Sequence, residues 1–254
     1  MTWSIVTGAS SGIGEAVTQR LLKEGRRVAA WARRADRLVA LGSDLANPAQ
    51  FRAAVVNVRD PAMVAAAVAD LDGEIELLVN NAGLSLGLGA LADGDPADWD
   101  TMIDTNIRGV LTCTRAVLPV MCAAGRGHIV NIGSLAASYP FYGGNVYAAS
   151  KAFVHHLSAN LRTELQGTGV RITCIAPGMV RSEFALVRFG GSAVKADALY
   201  RDLHPLSPAD VADAVLWACS VPPTVSVNLI ELMPADQAFG LALGSARGTT
   251  AKGR

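Results

Sequence analysis

Short runs of apolar, β-branched residues alternate along this chain with stretches whose apolar positions recur every three or four residues. The first kind predicts strands at about 3–7, 28–32, 53–58, 75–80, 128–133, 170–175 and 227–233. The second predicts helices at about 13–24, 34–41, 61–70, 98–124, 146–166 and 208–220, the first of them with Val17, Leu21 and Leu22 at helical spacing. The strands read as continuous apolar runs, the mark of strands covered on both faces. Strand and helix in alternation predict βαβ units. The expected fold is α/β, a Rossmann-type doubly wound parallel sheet of about seven strands with helices on both faces.

No linker, low-complexity stretch or internal repeat divides the 254 residues, so a single domain over 1–254 is expected. The alternation lapses over Met179 to Leu206, which carries Gly190-Gly191 and several charges but no clear strand. Ligands of a doubly wound sheet bind outside the carboxyl ends of its strands, and this segment follows such an end directly. A substrate-covering lid at about 179–206 is expected, and a frayed tail at about 245–254.

Composition narrows the function classes. The formal net charge is zero and the pI near 6.9, so no electrostatic footprint for nucleic acid or an anionic membrane is expected. Cys113, Cys122, Cys174 and Cys219 form no C-x-x-C pair and read as free thiols of a reducing compartment. Met1-Thr2-Trp3 runs straight into the first strand, so no leader is expected, and the longest uncharged run, 129–150, is broken by Gly, Pro and Asn. The expectation is a soluble cytoplasmic protein. His155 and His156 are adjacent on a helix and point apart. No His, Cys and carboxylate set has metal-ligand spacing, so no metal is expected.

The candidate chemistry begins where the first strand runs into Thr7-Gly8-Ala9-Ser10-Ser11-Gly12-Ile13-Gly14. Glycines at a strand-to-helix turn permit positive φ and close approach of a pyrophosphate, and the helix N-terminus offers free N–H groups. Gly8, Ser10, Ser11, Gly12, Ile13 and Gly14 are thus a candidate dinucleotide loop, spaced G-x-x-x-G-x-G. Gly8 to Gly12 also fits G-x-S-x-G, the nucleophile elbow of serine hydrolases. A hydrolase would need earlier strands, an upstream oxyanion loop and a late loop histidine, for which only His204 is suitably placed. The second strand ends in Arg33-Arg34, where an NAD enzyme carries Asp or Glu. Two guanidinium groups attract a 2′-phosphate and offer a free diol no acceptor, so NADP(H) is the expected coenzyme. The bland alternative is a solvated helix start over Arg34-Asp36-Arg37. Tyr147 and Lys151, at i and i+4, share a helix face, and Ser134 lies thirteen residues upstream. An ammonium beside a phenol lowers its pKa from about 10 and makes it a usable acid or base.

Together these residues resemble the short-chain dehydrogenase/reductases, over essentially the whole chain. Asn80-Asn81-Ala82-Gly83 is similar to that family's NNAG motif, which implies that Asn80, Ala82 and Gly83 border the coenzyme ribose. Asn106, Ser134, Tyr147 and Lys151 fall where the family's catalytic four are expected. Pro177-Gly178 is similar to its nicotinamide-side PG motif, with Val180 beyond it and Ser182 in place of the usual Thr. Asn57 stands for the usual Asp beside the adenine, followed by Val58.

The resemblance implies Tyr147 as general acid/base, Ser134 orienting the carbonyl, Lys151 lowering the phenol's pKa and bonding the nicotinamide ribose, and Asn106 placing a relay water. Trp99 to Asn106, Thr114 to Pro119, Gly143 to Tyr147 and Leu232-Met233-Pro234 look closest to the NADP-dependent 3-hydroxy acid dehydrogenases. The implied activity interconverts a carbonyl and an alcohol on a small 3-hydroxy acid or semialdehyde-type substrate. Asn145 and either Arg181 or Arg188 are its implied contacts, a guanidinium suiting a carboxylate. A surface ion pair with Glu183 or Asp197 stays open for those arginines. A ketone reductase for uncharged substrates and a non-enzymatic NADP-binding sensor also stay open, although a sensor has no need of an activated phenol. Homotetramers are usual in the family, which implies interfaces on the helices at 98–124 and 146–166 and on the last strand and tail. The apolar runs 228–234 and 239–243 would be poor surface in a monomer.

Overall fold

The computed structural model describes residues 2–43, 45–201 and 203–239. Its elements are β1 (Thr2–Thr7), α1 (Gly12–Lys23), β2 (Arg27–Ala32), α2 (Ala35–Gly42), β3 (Phe51–Val55), α3 (Pro61–Ala69), β4 (Glu74–Asn80), α4 (Pro96–Ile103), α5 (Gly109–Ala123), β5 (Gly127–Ile132), α6 (Asn145–Glu164), β6 (Val170–Pro177), α7 (Glu183–Arg188), α8 (Ala193–Ala198), α9 (Pro208–Ser220) and β7 (Leu229–Leu232). The strands form one seven-stranded sheet in the order β3-β2-β1-β4-β5-β6-β7, and every neighbouring pair is parallel.

Successive strand residues serve opposite faces. Val6 faces a core completed by Val17 and Leu21 of α1, Leu38 of α2 and Val211 and Val215 of α9. Trp3 and Ile5 face the other core, with Val64 of α3, Val117 of α5 and Leu161 of α6. Two covered faces explain the continuous apolar runs of the sequence. Strand order reverses between β1 and β4, which opens the crevice where such sheets bind ligands.

Three departures from the sequence reading bear on function. The third strand ends at Val55, and buried Val56 and Val58 leave the sheet. The expected helix at 98–124 is interrupted by a π-helical turn, Asp104–Arg108, between α4 and α5. Asp95, accepting from Ala97 N at 2.9 Å, and Pro96 start this assembly at 96. The expected lid holds two short helices, α7 and α8, each capped by a serine, Ser182 and Ser192. No described helix is long and apolar enough to cross a membrane. The tail at 245–254 and the run 240–243 lie outside the described residues.

Candidate active site

A cleft of about 390 Å³ opens at this crevice. Its outer end is the glycine loop. Gly8 and Gly12 adopt φ of 66° and 57°, left-handed backbone that a side chain disfavours. A Cβ on Gly14, which packs beneath the loop, would overlap the Gly8 carbonyl. Thr7 Oγ1 donates to Val79 O at 3.3 Å and accepts from Asn81 N and Ala82 N, both at 3.0 Å. Asn81 Nδ2 donates to Thr7 O at 2.9 Å, so the end of β4 fixes the loop. Helix α1 starts behind Ser11 without a side-chain cap, leaving first-turn N–H groups to face the cleft at Gly12 and Ile13. Unpaired N–H groups at a helix start suit an anion.

Arg33 and Arg34 line the cleft beside this helix start. Arg34 donates to Ser10 Oγ at 3.2 Å and Ser10 O at 3.3 Å, and its Nη1 reaches Glu183 of α7 at 2.8 Å. Arg37 stands 3.6 Å from the same carboxylate. Val56, Asn57 and Val58 form the adjoining wall, which explains why β3 stops short.

At the inner end, α6 presents Tyr147 and Lys151 on one face, both buried. Ser134, just past β5, and Ala82 and Gly83, just past β4, also line the cleft. Burial pushes the Tyr147 phenol above its usual value, opposed by the Ser134 hydroxyl and the charge of Arg188. Burial pushes the Lys151 ammonium down to about 8, and its Nζ donates to Ile132 O at 2.8 Å. Burial thus disfavours the charged form of both groups, and the charge of Arg188 acts on the phenol from the lid. Asn106 sits in the π turn, 1% exposed, accepting from Leu84 N and donating to Leu84 O, both at 2.9 Å. The extra residue of a π turn rotates Asn106 inward, against Gly83.

The two lid arginines differ. Arg181 is solvent-facing, 3.7 Å from Asp197 and stacked on Tyr200. Arg188 is 6% exposed, lines the cleft and has no acidic partner among the described residues. Its guanidinium carbon lies 5.2 Å from the Tyr147 ring centre. Pro177, Gly178, Val180 and Ser182 also line the cleft. Asn145 instead donates to Gly89 O at 3.0 Å, off the cleft wall. Asn80 is buried behind the wall, donating to Thr114 Oγ1 at 3.0 Å and Asn131 Oδ1 at 2.9 Å.

Sequence reasoning missed Ser85, Phe141, Glu183, Phe184 and Gln237. All but Ser85 line the cleft, and Ser85 lies behind Arg188. The sequence suggests Glu183 only as a surface ion-pair partner for the lid arginines, whereas it pairs with Arg34 and Arg37. Among the described residues no group of His, Cys, Asp or Glu could hold a metal ion.

The family model described as short chain dehydrogenase matches residues 2–188. The NADP-dependent 3-hydroxy acid dehydrogenase YdfG of Escherichia coli strain K12 is 46% identical over 239 residues, covering 92% of this chain and 96% of that protein. Sulfoacetaldehyde reductase 2 of Chromohalobacter salexigens is 45% identical, covering 92% and 95%. Among solved structures, the closed form of a serine dehydrogenase complexed with NADP+ superposes with a TM-score of 0.91 at 43% identity, covering all of both chains. The chain belongs to the short-chain dehydrogenase family.

Proposed function

We propose that this protein is an NADP(H)-dependent oxidoreductase that interconverts a carbonyl and an alcohol on a small 3-hydroxy acid or semialdehyde-type substrate. The observation that carries the reading is the cleft itself: unpaired N–H groups with Arg33 and Arg34 at one end, and Tyr147, Ser134 and unpaired Arg188 at the other. The names of the two curated relatives and of the solved serine dehydrogenase point the same way.

The residues fit the coenzyme. The first-turn N–H groups at Gly12 and Ile13 would take the pyrophosphate, Arg33 and Arg34 the 2′-phosphate, and Asn57 and Val58 the adenine side. Ala82, Gly83, Pro177, Gly178, Val180 and Ser182 would border the ribose and nicotinamide. When bound, the coenzyme supplies or accepts the hydride.

In reduction Tyr147 would donate its phenolic proton to the substrate oxygen, which the Ser134 hydroxyl would also hold by a hydrogen bond. A Cβ on Gly83 would lie 3.2 Å from Asn106 Oδ1 and 3.5 Å from Lys151 Nζ. The absent side chain leaves a polar gap between the two in which a water would relay a proton from Lys151. Arg188 would pair with the substrate's anionic end by two parallel hydrogen bonds, whereas Arg181 is engaged at the surface.

A substrate panel with NADPH tests the reading. Turnover of 3-oxo acids or semialdehyde acids above that of matched neutral ketones is expected. Faster turnover of the neutral ketones would favour the reading the aromatic wall of Phe141 and Phe184 allows, a reductase for uncharged substrates. Tight NADPH binding with no turnover would leave a sensor.

The reading extends to a cytoplasmic homotetramer. Four free thiols suit a reducing compartment. Leu111 and Val120 of α5 are 40% and 38% exposed and would be covered by a second copy. Sedimentation giving a monomer at micromolar concentration would remove the assembly.

A further inference from the structure

The side-on edge of the Arg188 guanidinium is committed. Its Nε and Nη2 donate to one acceptor, Ser85 Oγ, at 3.0 and 2.8 Å. The two residues stand 103 positions apart in the chain, and both are buried. A guanidinium carries five N–H donors in a rigid plane. Three remain, one on each Nη forming the end-on edge and one on Nη1 pointing back towards Cδ, and none has an acceptor among the described residues. An arginine so buried is ordinarily paired. The open edge has the geometry that a carboxylate or sulfonate takes bidentately.

Among the described residues only Ser85 hydrogen-bonds the guanidinium side chain and so gives that edge its direction. Phe141, Phe184 and Tyr147 surround the cation, with ring centres 6.0, 5.5 and 5.2 Å from its central carbon. Ring faces attract a cation but define the rotation of its plane only weakly; the hydrogen bonds to Ser85 are directional. The segment bearing Ser85 is itself held. Both backbone groups of Leu84 bond the Asn106 amide, and Gly87 N donates to Arg188 O at 3.0 Å. The frame that sets Asn106 beside Lys151 thus also sets Arg188 beside Tyr147.

We infer that Ser85 is a positioning residue for substrate specificity: its hydroxyl turns Arg188 so that an oxyanion on the substrate is received next to the Tyr147 phenol. The inference rests on the reading of Arg188 as the substrate's anion partner. Because the guanidinium lies so near the phenol ring, the anion and the reacting carbonyl belong on one short chain.

The test is a double-mutant cycle on the full-length protein with NADPH, using a semialdehyde acid and a neutral ketone of equal length. In Ser85→Ala the ratio of kcat/KM for the acid to that for the ketone should fall about tenfold, carried by KM for the acid, in line with losing hydrogen bonds to a charged group. Arg188→Gln should lower the ratio further, and adding Ser85→Ala to it should change the ratio no more than about twofold. Ser85→Gly, which removes the same hydroxyl without adding a group, should repeat the result if alanine disturbs the loop. NADPH binding close to wild type verifies the fold in each variant. Equal losses on both substrates in Ser85→Ala, or additive losses in the double variant, would overturn the role of Ser85 while leaving Arg188 its own. A ratio unmoved by Arg188→Gln would overturn the anion reading and the inference with it.

Discussion

Coenzyme preference here should be decided at Arg34, where the Glu183 carboxylate already holds the guanidinium that a 2′-phosphate would need. The guanidinium spends Nε and Nη2 on Ser10, and its Nη1 lies 2.8 Å from Glu183. Hydrogen bonding to Arg34 holds the Glu183 carboxyl below its ordinary range, so it is ionised at any assay pH near neutrality. The side chains of this pair are 42% and 37% exposed, and ion pairs so placed contribute about 0.2–1 kcal/mol. A phosphate bonded to arginine gains about 1.5–3 kcal/mol per charge-assisted hydrogen bond. The 2′-phosphate should therefore prevail over Glu183 for the open face of Arg34. We predict that Arg34→Gln weakens NADPH binding about 10- to 100-fold, and NADH by about threefold or less through the lost support of Ser10.

Glu183→Gln works in the opposite sense. It frees Arg34 and removes a like charge beside the phosphate, so NADPH should bind about two- to fivefold tighter, the yield of up to about 1 kcal/mol. The gain should fade with added salt, because the site is exposed enough to be screened. Titrating protein fluorescence with each coenzyme at low and high ionic strength measures both effects. Equal losses of NADPH and NADH in Arg34→Gln would refute the phosphate assignment. Weaker NADPH binding in Glu183→Gln would refute the competition and make the carboxylate a clasp that draws the lid over the coenzyme.

Three further outcomes are expected. Tyr147→Phe should lower kcat by about 10²–10⁴-fold or more with NADPH binding nearly intact, since only the phenolic oxygen carries the proton; residual kcat above about a tenth of wild type would reject the assignment. Gly14→Ala should abolish coenzyme binding in a folded protein, because the new Cβ meets a Gly8 carbonyl that Asn81 holds in place; wild-type affinity in that variant would show that the loop can yield. Burial, with the charges of Arg171 and Arg26, pushes His128 down to about 3, so below about pH 6.5 the unfolded chain gains a proton that the folded one refuses, and stability falls by up to about 1.4 kcal/mol per pH unit. Urea midpoints at pH 7 and 5 should therefore converge in His128→Gln relative to wild type, and an unchanged gap would assign the acid sensitivity elsewhere.

The fold was legible because its strands are covered on both faces: all seven apolar runs placed their strands to within about three residues at either end. Where the reading slipped, local pattern and tertiary need had parted. Val56 and Val58 look like strand because they are apolar, but β2 ends at Ala32, paired with Val55, and beyond it they line the cleft. The π turn at Asp104–Arg108 is a single turn of five residues, too short for periodicity to register. Its trace in the sequence is a polar Asn106 between Ile103 and Ile107, where a plain amphipathic helix has no reason to bury an amide.

The lid shows most sharply what a single sequence withholds. Arg181 and Arg188 are the same residue type in the same segment, and the sequence leaves both open as the substrate's partner. What separates them is helical phase. Ser182 accepts from Phe184 N and starts α7 at Glu183, so Arg181 precedes the helix and stays in solvent beside Asp197. Ala185, in the first turn, is buried; three residues on, Arg188 falls on the same face and is carried inward to Ser85. The other end of this six-residue helix puts Glu183 on Arg34 and Arg37. One short helix thus touches both ends of the cleft, and both of its charges find partners more than a hundred residues upstream. A helix of six residues is too short to declare itself by periodicity. Its signals in the sequence are a serine cap and the Gly190-Gly191 stop, at φ of 58° and 90°. Taken as a start and a stop, they put Arg181 outside the helix and Arg188 at its last position, on the inward face that Ala185 shares.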